Sequence, residues 1–158
     1  MDLGLLQRRY VSRSDWPLVL DWRNQPDVYI NMATPRVIDI KEHMAWFDSR
    51  SKNLELEPLF GYYLQSELAA TTRLDFNKSG HYEVGIIVSP NFRGLGVAFY
   101  CLTDTVNFFY TTLAIEHPEL YAIVNPKNLS SIRLFEKSGF HRSGLNREGF
   151  QLMKKSLV

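Results

Sequence analysis

The feature that most restricts the fold is a change of period across one short turn. From His81 to Val88 the sequence alternates, with Tyr82, Val84, Ile86 and Val88 on one side and His81, Glu83, Gly85 and Ile87 on the other. That is the pattern of a strand with two unlike faces. Beyond the turn, Phe99, Leu102, Val106, Phe109 and Leu113 recur at spacings of three and four, which predicts an amphipathic helix from about Val97 to Thr112. Two glycines, Gly94 and Gly96, sit between the two patterns. A strand that feeds a long helix in this way belongs to a layered fold in which helices cover a sheet.

The flanking segments supply the rest of that sheet and its cover. Leu59 to Leu64 and Ala69 to Phe76 join Tyr82 to Val88 as an antiparallel meander, broken by Gln65-Ser66-Glu67 and Asn77-Lys78-Ser79-Gly80. Upstream, Leu5 to Val11 reads as a first strand. Ser14 or Asp15 is then expected to cap a short helix with Pro17 in its first turn and Asn24-Gln25-Pro26 closing it. Asp39 and Glu42 resemble a capping box, followed by a helix with Ile40, Met44 and Phe47 on one face and His43, Trp46 and Arg50 on another. Downstream, Leu120 to Val124 is a buried strand candidate, Asn128 caps a helix running to Lys137, and Gly139 ends it. Short runs near Phe140 and Phe150 complete the sheet. The expected architecture is α/β, in the α+β layered sense: one domain over residues 1–158, with a mixed, mostly antiparallel sheet of about seven strands flanked by about four helices.

Composition agrees with one domain and removes several function classes. A chain of 158 residues, 45% of them hydrophobic, can bury a sizeable core. Its 18 Lys and Arg against 17 Asp and Glu leave a formal charge of +1, so no overall field draws it to nucleic acid or to an anionic membrane. The single cysteine, Cys101, excludes an internal disulfide and any zinc site built on paired cysteines, and the four histidines are scattered, so no metal is expected. The apolar runs are too short to span a bilayer, and Met1-Asp2-Leu3 lacks the basic start of a secretory signal. A cytoplasmic protein is the expectation.

The glycine turn is where chemistry first shows. Successive backbone N–H groups can converge there, and the start of the following helix adds a partial positive charge, so phosphate or pyrophosphate is a natural ligand. Arg93 can add a charge-assisted contact. A P-loop is excluded because Gly96 is followed by Val97-Ala98 rather than Lys-Ser/Thr. A dinucleotide loop is disfavoured because Phe99 takes the place of its third glycine and no parallel βαβ unit surrounds it. Arg93-Gly94-Leu95-Gly96-Val97-Ala98 instead resembles the Arg/Gln-x-x-Gly-x-Gly/Ala loop with which the GNAT superfamily of acyl-CoA N-acyltransferases holds coenzyme A pyrophosphate. A second segment, Asn125-Pro126-Lys127-Asn128-Leu129-Ser130-Ser131-Ile132-Arg133-Leu134-Phe135-Glu136-Lys137-Ser138-Gly139-Phe140, is similar to that family's Asn-x-x-Ser-x-x-Leu-Tyr/Phe-Glu-Lys-x-Gly-Phe pattern, and its distance from the first segment also agrees. On these two segments the chain is identified as a member of the superfamily.

The resemblance implies acetyl-CoA as acyl donor and a sheet that splays between the strand ending at Val88 and the strand ending at Val124. Its pantetheine arm would pair with the backbone of Ile86, Ile87 and Val88, and its phosphates with the turn from Arg93 through Gly94, Leu95, Gly96 and Val97 to Ala98. Asn125, Asn128 and Ser131 would contact it from the second segment. The implied reaction is direct attack of a primary amine in a ternary complex, with strand N–H groups polarising the thioester carbonyl. Glu83 is the first candidate base, with His81 and His43 as alternatives; an ion pair or a hydrogen bond to a neighbouring strand is its structural reading. Many relatives carry a tyrosine hydroxyl as acid where this chain has Phe135, so Tyr82 and Tyr121 become the candidates.

Acceptor choice in the superfamily is usually set between the first two helices. Here Arg23, Asn24, Asn31, His43, Trp46 and Phe47 resemble a subgroup that acetylates nucleotide-linked amino sugars, as in pseudaminic-acid synthesis. Ribosomal-protein-type N-terminal acetyltransferases share a similar helix pair and are the alternative acceptor class. A non-catalytic acyl-CoA-binding module is the alternative from another class, motivated by Phe135. The resemblance leaves a homodimer open.

Overall fold

A computed structural model of the chain describes residues 1–114 and 118–156. Seven strands form one sheet: β1 Leu6–Tyr10, β2 Leu59–Leu64, β3 Glu67–Phe76, β4 Tyr82–Val88, β5 Glu119–Val124, β6 His141–Leu145 and β7 Gln151–Ser156. Their spatial order is β1-β2-β3-β4-β5-β7-β6, and every neighbouring pair is antiparallel except β4 with β5. The helices are α1 Trp16–Arg23, α2 Pro26–Tyr29, α3 Ile40–Ser51, α4 Val97–Phe108 and α5 Leu129–Lys137. The short α2 is the element that the sequence reading missed. Pro26 both closes α1 and opens α2, since its fixed φ and absent N–H suit a first helical position.

The alternation in β4 sorts the two layers. Tyr82 and Val84 join Leu102, Val106, Phe109, Ile132 and Phe135 in the core beneath α4 and α5. On the other face Val19, Trp22 and Phe47, from α1 and α3, pack with Leu59, Tyr63 and Leu68. The apolar stripe of α4 is as expected, but its last turn, Phe109–Leu113, widens into a π turn, with the Ala114 N–H donating to the Phe109 carbonyl at 3.0 Å.

Two local expectations are corrected by polar groups. Asp15 stands at the N-cap position of α1 but does not cap it, its carboxylate accepting instead from the Tyr63 hydroxyl, while Ser12 caps the preceding 3-10 turn Arg13–Asp15, its hydroxyl accepting from the Ser14 N–H at 3.2 Å. In α3 the buried stripe is His43, Phe47 and Arg50, whereas Ile40 and Met44 are 54% and 38% exposed. The reason is hydrogen bonding. Arg50 donates to the Glu57, Pro58 and Leu74 carbonyls and pairs with Asp75, and the His43 ring nitrogen Nε2 meets the Trp16 carbonyl at 3.1 Å. Satisfied polar anchors therefore turn the helix against the reading taken from apolar spacing alone.

The feature that positions the site lies at the centre of the sheet. β3 accompanies β4 along its whole length, from Phe76 opposite Tyr82 to Ala70 opposite Val88. β5 pairs with β4 only at Tyr82↔Leu120 and Glu83↔Tyr121, yet pairs with β7 from Glu119 to Val124. The sheet therefore parts beyond Glu83, leaving the β5-facing edge of β4 from Val84 to Val88 without a strand partner.

Candidate active site

A cavity of about 760 Å³ fills this opening. Its walls are the free edge of β4, the end of β5 at Ile123–Asn125, the start of α5 and the glycine turn. In that turn Gly94 and Gly96 hold φ of +74° and +81°, a left-handed conformation that glycine adopts without steric cost. Gly96 is the N-cap of α4, and no side chain caps the helix there, so the first N–H groups are left for a ligand. Nothing lies within 4 Å of where a Cβ on Gly94 would stand. A strand edge with unpaired backbone groups leading to an uncapped helix start is a fitting cradle for an extended chain that ends in phosphates.

Most of the residues predicted for the cofactor meet here. Ile86, Ile87, Val88, Arg93, Gly94, Gly96, Val97, Ala98, Asn125, Asn128 and Ser131 all line this cavity. Leu95 does not, its side chain being half exposed. Arg93 pairs with Asp27 of α2, which ties that helix to the turn. The Asn128 side chain also caps α5, accepting from the Ser131 N–H at 3.3 Å.

Glu83 lines the same cavity, and its Oε2 accepts from the Asn77 Nδ2 at 3.0 Å. The two proposed tyrosine acids are not brought to it. Tyr82 is buried in the α4 side of the core and donates to the Leu56 carbonyl at 2.9 Å, because alternation sends it to the face opposite Glu83. Tyr121 lies beside Glu83 at the closed end of the sheet, where it donates to Glu119 and its ring contacts His81 at 5.0 Å. Neither Tyr121 nor His81 lines this cavity. Phe135 does line the cleft, so the ring there is apolar and carries no proton to donate. Cys101 is fully buried, and burial, with Asp104 nearby, pushes its thiol well above the usual range.

A second cavity of about 400 Å³ adjoins the first on the α1–α3 side, and Met32, Arg73, Gly85, Ile86 and Ile87 line both. Arg23, His43 and Trp46 line it, as the acceptor reading requires. The His43 ring lies between Trp16 and Trp46, and burial lowers its basicity despite the opposing Trp16 carbonyl, so it is neutral near pH 7. Arg23 also tethers the loop before α3, donating to the Thr34 and Arg36 carbonyls. Burial and the like charges of Arg73 and Arg36 lower its pKa, against the weaker pull of Glu42. Arg36 is held by both oxygens of Glu42 at 2.9 and 3.0 Å.

Three acceptor candidates fall elsewhere. Asn24 bonds the Ile38 backbone through both its amide atoms, Asn31 lines the larger cavity, and Phe47 is buried with Val19 and Trp22. The sequence reading missed Arg73 and Asp75. Alternation along β3 places Thr71, Arg73 and Asp75 on one face, and charges inside an otherwise buried strand were the available signal. Among the described residues no group of three His, Cys, Asp or Glu side chains is placed to hold a metal ion, and no helix is long and apolar enough to cross a membrane.

The sequence model of the acetyltransferase (GNAT) domain matches residues 5–141. No curated protein sequence matches the chain. Among solved structures, an N-acetyltransferase from Staphylococcus aureus Mu50 superposes with a TM-score of 0.79 at 22% identity, over 96% of this chain and 98% of that one. A ribosomal-protein-alanine N-acetyltransferase from Brucella melitensis gives 0.78 at 20%, over 96% and 100%. A spermidine N-acetyltransferase from Vibrio cholerae, in complex with CoA and spermine, gives 0.77 at 18%, over 96% and 94%. At these identities the superpositions establish the fold.

Proposed function

The chain belongs to the GNAT acetyltransferase family, an acetyl-CoA-dependent N-acetyltransferase by that membership, and on this premise we propose that its acceptor is a nucleotide-linked amino sugar. The carrying observation is the charge of the smaller cavity. Three guanidinium groups, Arg23, Arg36 and Arg73, line it with two carboxylates, Glu42 and Asp75, both already engaged by arginines. A polyamine would meet this cationic wall unfavourably, whereas a pyrophosphate would be attracted to it. Trp46, 38% exposed at the same cavity, offers a face on which a base can stack.

Acetyl-CoA supplies the acetyl group as an activated thioester. The residues suited to hold it are those of the open β4 edge and the glycine turn, with Asn125, Asn128 and Ser131 opposite. In this reading the β4 N–H groups near Ile86 to Val88 donate to the thioester carbonyl oxygen and strengthen their hold as negative charge develops there, a contribution that needs no special side chain. The amine enters from the smaller cavity and reaches β4 at Gly85–Ile86, the wall common to both cavities. Glu83, oriented by Asn77, accepts the amine proton directly or through water. With Phe135 at the cleft and no tyrosine lining it, the thiolate departs without a phenolic acid, which a leaving group of pKa about 8.5 tolerates. The buried Cys101 supports direct transfer over an acetyl-cysteine route.

The test is CoA release from acetyl-CoA against UDP-linked amino sugars, N-terminal peptides and polyamines. Turnover confined to the nucleotide sugars is the expected result. Turnover of peptides alone would replace this reading with the N-terminal class, and polyamine turnover would refute the electrostatic argument behind it.

A further inference from the structure

Arg73 stands at the wall that the two cavities share, and its setting is unusual. It lies directly opposite Gly85 in the β3–β4 register. A Cβ built on Gly85 would come within 2.3 Å of the Arg73 Nη1 and 2.7 Å of its Cζ, so the guanidinium occupies the space that a side chain at position 85 would fill. Its Nε donates to Asp75 Oδ2 at 2.8 Å, and Asp75 is itself held by the buried Arg50. The guanidinium is thus anchored by one edge. Among the described residues no protein group accepts from its Nη1 or Nη2, and the residue lines both cavities.

A planar fork held at Nε, with two outer nitrogens that have no protein acceptor at the wall of both cavities, can bind a carboxylate or a phosphate through parallel hydrogen bonds. The acids around it are already engaged, since Asp75 is shared between Arg73 and Arg50, Glu42 is held by Arg36 and Glu83 accepts from Asn77, while Arg23 adds like charge from the rim. We propose that Arg73 is a specificity-determining residue of the acceptor site, whose free Nη pair binds an oxyanion, carboxylate or phosphate, carried by the acceptor close to its reacting amine. Gly85 is then a glycine because the guanidinium must lie flat across it. The inference rests on the acceptor entering through the smaller cavity, as in the function proposed above, but not on the acceptor being a nucleotide sugar.

The test uses the whole chain saturated with CoA, so that the phosphate turn is already occupied, and titrates it by calorimetry with pyrophosphate, with glucuronate, and with spermidine as a cationic control. The parent should bind at least one of the two anions and not spermidine; the stronger of the two tells whether the group read is a phosphate or a carboxylate. Arg73→Gln should weaken that binding by about ten- to hundredfold, the range for a lost charge-assisted hydrogen-bond pair. Arg73→Lys, which keeps the charge and a partner for Asp75 but loses the fork, should fall between, and it carries the test if the glutamine variant does not fold. Gly85→Ala alters no charge, yet should weaken anion binding as Arg73→Gln does by pushing the guanidinium aside. Because Arg73 and Gly85 also border the cofactor cavity, CoA affinity is measured for all three, and it should change by much less than anion binding.

Anion binding unchanged in both Arg73 variants would overturn the proposal, as would a parent that binds neither anion, or a loss confined to CoA affinity. Anion binding that depends on Arg73, together with no turnover of any nucleotide sugar, would keep this inference and remove the nucleotide-sugar reading. Turnover of such a sugar by Arg73→Gln at the parental KM would do the reverse.

Discussion

Replacing Gly96 with valine should cost acetyl-CoA affinity through backbone conformation rather than through bulk. The residue has φ +81° and ψ 1° at the N-cap of α4. A Cβ there would meet only the Leu3 Cδ1, at 3.4 Å, an ordinary contact. Space within the protein is therefore not the limit. The left-handed conformation costs an L-residue roughly 1–2 kcal/mol, and it is worse still for a β-branched one. The chain relieves that strain by rotating the adjoining peptide, which turns an N–H of the helix start away from a bound phosphate. One such charge-assisted bond is worth about 1.5–3 kcal/mol, equivalent to a roughly ten- to hundredfold rise in the Kd for acetyl-CoA. Titration calorimetry with acetyl-CoA alone measures this without an acceptor, and a circular dichroism melt checks that the variant is folded. Gly96→Asn is the decisive companion, because asparagine tolerates the left-handed region and should bind within a few-fold of the parent. A folded valine variant with parental affinity, or an asparagine variant as weak as valine, would refute the reasoning.

Arg50→Met should lower stability by about 3–5 kcal/mol, because it leaves Asp75 short of a partner and removes the guanidinium donor from the Glu57, Pro58 and Leu74 carbonyls, of which Pro58 keeps the Leu74 N–H; at roughly 2–4 °C per kcal/mol, that is a fall in Tm of about 6–20 °C. Burial pushes the Asp75 carboxyl up, but Arg73 and Arg50 outweigh burial and hold it below its ordinary value. Its stabilisation is therefore complete above the unfolded pKa of about 3.9 and is lost as pH falls through the folded one. Thermal melts of Arg50→Met below pH 4 should accordingly decline less steeply than those of the parent, and parallel declines would show that the pair is not responsible. Glu83→Gln should lower kcat by about a hundred- to ten-thousandfold with acetyl-CoA affinity intact; parental kcat in steady-state assays would make Glu83 structural. Trp46→Ala should raise the KM for a nucleotide-linked acceptor by the roughly 1–3 kcal/mol of a stacked base, while a KM unaltered by the change would remove Trp46 from the acceptor site.

What could be read from the sequence was what repeats or what breaks a repeat. The strand before the glycine turn, the stripe of α4 and the cap of α5 rest on local rules that tertiary contacts do not overturn, and the residues predicted to hold the cofactor, Leu95 apart, converge on one cavity. The acceptor side was less legible because its residues are sorted by contacts between distant segments. Asn24 looks like a ligand-binding amide until Ile38 is found within reach of both its ends. Tyr82 is a plausible acid until strand alternation is enforced against a core that already holds Phe109. Arg73 was invisible as a site residue because its meaning depends on what lies across the β3–β4 ladder, a glycine twelve positions later in the chain.

The opening between β4 and β5 has a thermodynamic consequence. Two cross-strand pairs, next to Tyr82 and Glu83, are what join one half of the sheet to the other along this seam. A donor that lies along the seam and bonds the vacant edge of β4 completes the hydrogen-bonding array that the chain itself leaves unfinished, so it contributes to the folded state as a strand would. By mass action, donor at a hundred times its dissociation constant adds about 2.7 kcal/mol to the free energy of unfolding. If acetyl-CoA occupies that edge, the amide protons of Val84, Ile86 and Val88, which face away from β3, should exchange with solvent more slowly as its concentration rises.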